Sequence, residues 1–163
     1  MRSTAFISIA LVLVLPGLAS AEGPAPGCFA RDYGAAHLVA HPEQVVSAMR
    51  LRIGEPGADG EAPAEMRVVL SDQGRARAEG VGGQMLTQAL VCKDWGDGPA
   101  CGVECDGGLF SVVEDAEGVT LTTDRLLVGE SEECGGSFDL VEREGEPVSY
   151  RLLRAEPSAC DGD

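Results

Sequence analysis

The chain has 163 residues, 12 of them basic and 27 acidic, for a formal charge of −15. That balance excludes the phosphate-neutralising surfaces on which nucleic-acid binding and attachment to anionic membranes depend. Its length suits one domain with a real hydrophobic core.

At the start, Met1 and Arg2 precede an apolar run from Ala5 to Leu15, and the small residues Ala19-Ser20-Ala21 follow it. This is the order of a signal peptide, with cleavage expected between Ala21 and Glu22. The apolar run is about half the length of a membrane span, which takes about 20 residues. The chain therefore divides into a signal peptide, 1–21, and a single disulfide-stapled β domain, 22–163, with no membrane insertion after cleavage. Removal of Arg2 leaves 11 basic residues against 27 acidic, a mature charge of −16. The expected location is the periplasm or the extracellular space.

Glu22 to Gly27 is a Gly/Pro-rich lead too broken for a regular element. From Asp32 to His41 the spacing of Tyr33, Ala36, Leu38 and Ala40 predicts one short helix, with Asp32 as a cap and Pro42 as its stop. The period then changes to two, the mark of half-buried strands. Met49, Leu51 and Ile53 alternate with Arg50 and Arg52, and Met66, Val68 and Leu70 follow the same rule after an acidic, Gly/Pro-rich loop. Further strands are expected at 84–92, 101–105, 109–114, 119–123, 126–128, 138–142 and 148–154, most of them separated by turn residues. The fold class read from this pattern is mainly β, an antiparallel meander closing into a small barrel or sandwich, with one short N-terminal helix. An internal echo supports it. Glu104 to Glu114 and Glu133 to Glu142 each read as cysteine, glycine turn, then a strand with an early phenylalanine.

Six cysteines, at 28, 92, 101, 105, 134 and 160, lie behind the signal segment and read as three disulfides, among 15 possible connectivities. Cys28 with Cys160 joins the ends of the mature chain, and Cys92 with Cys101 spans a turn-rich stretch. Cys105 with Cys134 joins equivalent places in the echo. The rival map exchanges Cys101 and Cys105. A zinc knuckle at Cys101-x-x-x-Cys105 lacks a second knuckle to complete it.

Cys28-Phe-Ala-Arg31-Asp-Tyr33, Ala36-His37-Leu38, His41-Pro42-Glu-Gln44 and Cys101-Gly-Val-Glu-Cys105-Asp-Gly-Gly108 resemble small exported, cysteine-containing proteins of Gram-negative bacteria to which no activity is assigned. The resemblance touches most of the mature chain. It implies export and brings no catalytic residue.

Of the residues with chemical potential, His37 and His41 have the i, i+4 spacing that sets two imidazoles on one helix face, as a metal pair or as a capping and packing pair. A G-x-S-x-G elbow is absent from the sequence, and an even cysteine count leaves no thiol nucleophile. Asp94-Trp-Gly-Asp97-Gly98 is acidic and glycine-rich but departs from the calcium-loop pattern. Trp95, the single tryptophan, reads as either a binding anchor at a loop tip or a lid on a small core. The function expected from these features is an acidic binding module without catalysis or cofactor, its partner a basic protein. The alternatives are a metal-binding protein using His37 and His41, and a hydrolase with an unrecognised carboxylate site.

Overall fold

A computed structural model describes residues 23–130 and 136–161. The segment expected to be a signal peptide, with its expected Ala21–Glu22 junction, and Cys134 lie outside them. The elements are β1 (Gly27–Asp32), α1 (Ala35–Ala40), β2 (Val46–Ile53), β3 (Ala62–Leu70), α2 (Gly74–Ala78), β4 (Met85–Asp94), β5 (Pro99–Gly102), β6 (Gly108–Glu114), β7 (Gly118–Glu130), β8 (Gly136–Asp139), β9 (Val148–Ala155) and a 3₁₀ turn at Pro157–Ala159. Antiparallel ladders run from β1 through β7 in chain order, then from β7 to β9 and from β9 back to β1. The sheet is thus a closed eight-stranded barrel, and β8 stands outside the ring, paired only with the last residues of β7.

Alternation builds the wall. Leu51 pairs with Met66 and Met49 with Val68 on the inner side, while Arg50 pairs with Arg67 and Arg52 with Glu65 on the outer side. Phe29, Phe110, Met49, Leu51, Met66 and Leu152 are almost completely buried and join one continuous core. Each such side chain contributes about 1.5–3 kcal/mol of burial free energy. The interior of an eight-stranded barrel can be filled by side chains or hold one small ligand, and here the inward-facing side chains form one buried cluster. The apolar-inside, charged-outside arrangement reverses that of a membrane-spanning barrel. Among the described residues no helix is long and apolar enough to cross a membrane.

The structure corrects several local expectations. The helix begins at Ala35 rather than Asp32, because Asp32 pairs with Ala48 in the β1–β2 ladder and its carboxylate receives Arg50 at 2.8 Å. The cap is Gly34, without a side-chain bond. Strand β1 was not readable as one, since six residues without clear alternation become a strand only by pairing with β2 and β9. The two short strands expected at 119–123 and 126–128 are one strand of 13 residues. Asp124 does not break it: the ladder with β6 shifts register there, and Thr123 Oγ1 accepts the Arg125 N–H at 3.0 Å and donates to the Leu109 carbonyl. A second helix, α2, also escaped the periodicity. It is one short turn burying Ala76, tied to the β8–β9 connection by Arg75, which donates to the Asp139 and Val141 carbonyls. The strand expected at 101–105 instead ends at Gly102, and Cys105 sits in the following loop with φ 62°.

The disulfides Cys28–Cys160 and Cys92–Cys101 are both present. The second excludes the rival map, because Cys92 and Cys101 face each other in the β4–β5 ladder. Cys105 is also disulfide-bonded. Two disulfides in one small barrel mark an oxidising compartment.

Candidate functional site

At the barrel end where β1 stops and β9 starts, α1 and its C-cap hold the two histidines. Their rings stack, with centroids 4.1 Å apart and planes 22° from parallel, and the Tyr33 ring lies 4.9 Å from that of His37. His41 follows the last helical residue, and its Nδ1 donates to the His37 carbonyl at 2.8 Å, satisfying one of the acceptors a helix end leaves open. Gln73 covers others, its Nε2 donating to the carbonyls of Leu38 at 3.1 Å and His41 at 2.7 Å. His37 Nε2 bonds Gln44 Oε1 at 2.9 Å, and buried Gln44 in turn donates to the Val46 carbonyl at 2.7 Å.

One nitrogen of each imidazole is therefore engaged by the fold. The remaining lone pairs lie in the planes of two rings stacked with centroids 4.1 Å apart and only 22° from parallel, so they do not converge on one ion while the stack stands. Among the described residues no three His, Cys, Asp or Glu side chains gather as a metal site. The pair acts as a cap and a packing contact.

Beside it, Arg31, Tyr33, His37, Glu142, Ser149 and Arg151 border an open cleft of about 340 Å³. Burial pushes the Glu142 carboxyl above its ordinary pKa, against the opposing pull of His41 and Arg143. Burial also raises the Tyr33 phenol, whose hydroxyl donates to the Arg151 carbonyl at 3.4 Å. Ser149, which adds an aliphatic hydroxyl to the cleft, shares a hydrogen bond with Thr122 at 2.8 Å. Sequence reasoning missed Tyr33, Gln44 and Glu142 here. The i, i+4 step from Tyr33 to His37 was a usable signal for the first, whereas Glu142 arrives from a connection more than 100 residues away.

At the opposite end of the barrel, β4 turns into β5. The Cys92–Cys101 disulfide closes this hairpin, and Asp94 Oδ1 accepts the N–H groups of Gly96 at 2.7 Å and Gly98 at 3.3 Å. The acidic Asp94–Gly98 run is thus a self-capped turn rather than a cation loop. Trp95 folds back along the outer face of β5 and over Gly102, where an added Cβ would stand 3.1 Å from the indole. The ring stays 46% exposed, with the Lys93 ammonium 4.5 Å from its centroid and 2.7 Å from Glu61.

Over the whole surface the scarce cations are taken. Nine of the eleven basic side chains in the described residues form ion pairs with carboxylates, Arg31 and Arg125 being the exceptions. The Arg151 guanidinium, with the N–H groups of Glu117 and Gly118, holds Asp115 down to about 2. Comparison with protein-family models, with curated proteins and with solved structures finds no match to the chain.

Proposed function

We propose that the protein is an exported, non-catalytic binding module of the periplasm or extracellular space whose acidic surface engages a basic protein. The observation that carries this reading is the saturation of its cations. Since almost every Arg and the single Lys already have a carboxylate, the surplus acids, among them Glu43, Glu55, Asp59, Asp97, Glu104 and Asp106, form no ion pair among the described residues. Their field is directed outward, where it steers and retains a cationic partner. A closed barrel with a filled interior supports the same reading, since it presents a rigid exterior with little ordering cost on binding.

Titration of the mature chain with a fluorescent deca-lysine peptide tests this. Raising salt from 10 to 150 mM shortens the Debye length from about 30 to about 8 Å, so binding should weaken at least tenfold. It should also exceed, at each salt, the binding of an unrelated globular protein of equal charge. No association at 10 mM salt, or association no tighter than the control's, would refute the proposal.

A further inference from the structure

We infer that the outer face of β5 and β6 around Trp95 is the docking surface for this partner, and that it receives an extended segment in which arginines alternate with apolar residues. The inference rests on the acidic-module reading above and adds a place and a chemistry to it.

Three large apolar side chains stand exposed on this face: Trp95 at 46%, Leu109 at 45% and Val113 at 66%. Trp95 and Leu109 are neighbours by construction, and Val113 continues the same outer face along β6. Gly102 pairs directly with Leu109, so an indole lying over Gly102 sits beside Leu109. Along β6, Phe110 and Val112 are buried, which leaves Leu109, Ser111 and Val113 on the outside. Leu109 and Val113 are four residues apart, or about 13 Å along a strand, the spacing of alternate side chains at i and i+4 in another extended chain. The other exposed large apolar residues among the described ones, Val39, Met85 and Leu153, lie on α1, β4 and β9.

Charge selects the occupant. Asp97 lies in the Trp95 turn, and Glu104 and Asp106 lie in the β5–β6 connection that begins after Gly102. None of the three forms an ion pair among the described residues. Against these three acids stands Arg125, the ladder partner of Leu109, which forms no ion pair among the described residues; the acids outnumber it, so the surroundings disfavour phosphates and a second copy of a chain at −15. They attract a guanidinium, which also stacks on indole, and this indole already accepts one cation from Lys93. A turn closed by a disulfide and by Asp94 holds the ring in place before any partner arrives, as a preorganised aromatic anchor.

Because Trp95 is the single tryptophan, its emission reports on this face alone. The probes are two acetylated octapeptides of equal charge, four Arg-Leu repeats and four Arg-Ser repeats, at 10 mM salt. The Arg-Leu peptide should shift the emission saturably and bind about tenfold tighter than the Arg-Ser peptide. By anisotropy of labelled peptide, Trp95→Ala should lose about tenfold, the scale of an interface anchor. Val113→Ser, at an exposed position away from the core, should lose about threefold and guards against a folding defect in the first variant. Equal affinity for both peptides, or unchanged binding in both variants, overturns this inference and leaves the acidic-module reading standing. Failure of both peptides to bind overturns both. A change in emission on concentrating the protein without peptide shows a second copy covering the face and overturns the basic occupant.

Discussion

At the scale of single residues, the fold spends its few cations on fixing loops. Arg151 reaches Asp115 at 2.7 Å, and the β6–β7 turn around Asp115 is also closed by the N–H groups of Glu117 and Gly118. All three donors favour the carboxylate, so Asp115 loses its proton more readily folded than unfolded. Its contribution to stability is complete above its ordinary value of 3.8 and disappears as pH falls to about 2. Asp115→Asn should therefore unfold at slightly lower urea than the parent at pH 6, and the gap should close between pH 4 and pH 2. A gap of constant size down to pH 2 would show that the turn, not the charge, carries the effect. The pairing is solvent-exposed, so the difference is small at any pH.

At the scale of elements, strand alternation sets which face a residue takes, and glycines mark where two backbones come closest. Gly118 opens β7 against β9, pairing with Leu153, and a Cβ there would run into the Leu152 carbonyl. Relief requires the backbone of β9 to move, and β9 also carries Tyr150 and Leu152 in the core. Gly118→Ala should cost about 1–3 kcal/mol in urea unfolding. Gly145, with nothing near its missing Cβ but φ of 76°, is the contrasting position. Substitution there strains only the local turn, about 1 kcal/mol, and a larger loss at Gly145 than at Gly118 would contradict the close-approach argument.

Across the whole molecule, closure and stapling are separate devices. The β1–β9 ladder joins Cys28–Ala30 to Leu153–Ala155, and Cys28–Cys160 secures the same seam across a separation of 132 residues. Cys92–Cys101 spans only 9. Loop-closure entropy assigns about 5 kcal/mol to the long bridge and about 2.7 kcal/mol to the short one. Replacing Cys28 and Cys160 together by alanine should lower the urea midpoint more than replacing Cys92 and Cys101. The reverse order would mean that native-state contacts at the hairpin outweigh chain entropy.

Much of this was determined by the amino-acid sequence alone: the alternation of Met49, Leu51 and Ile53 with arginines, the acid excess, and two cysteine pairings argued from loop length and turn position. These are properties of composition and of neighbours a few residues apart, and they survive in any compact state that hides the apolar face. Tertiary structure decided the rest. Whether a meander closes into a barrel depends on β1 meeting a strand more than 120 residues later, and β1 has no pattern of its own. The short α2 is held by Arg75 reaching carbonyls near residue 140. His37 and His41 stack instead of converging because Gln44 and a helix-end carbonyl each claim one ring nitrogen. Trp95 lies half-open on β5 because residue 102 has no side chain to lift it away. Each of these outcomes is a competition among partners distant in sequence, settled only when the barrel brings them together.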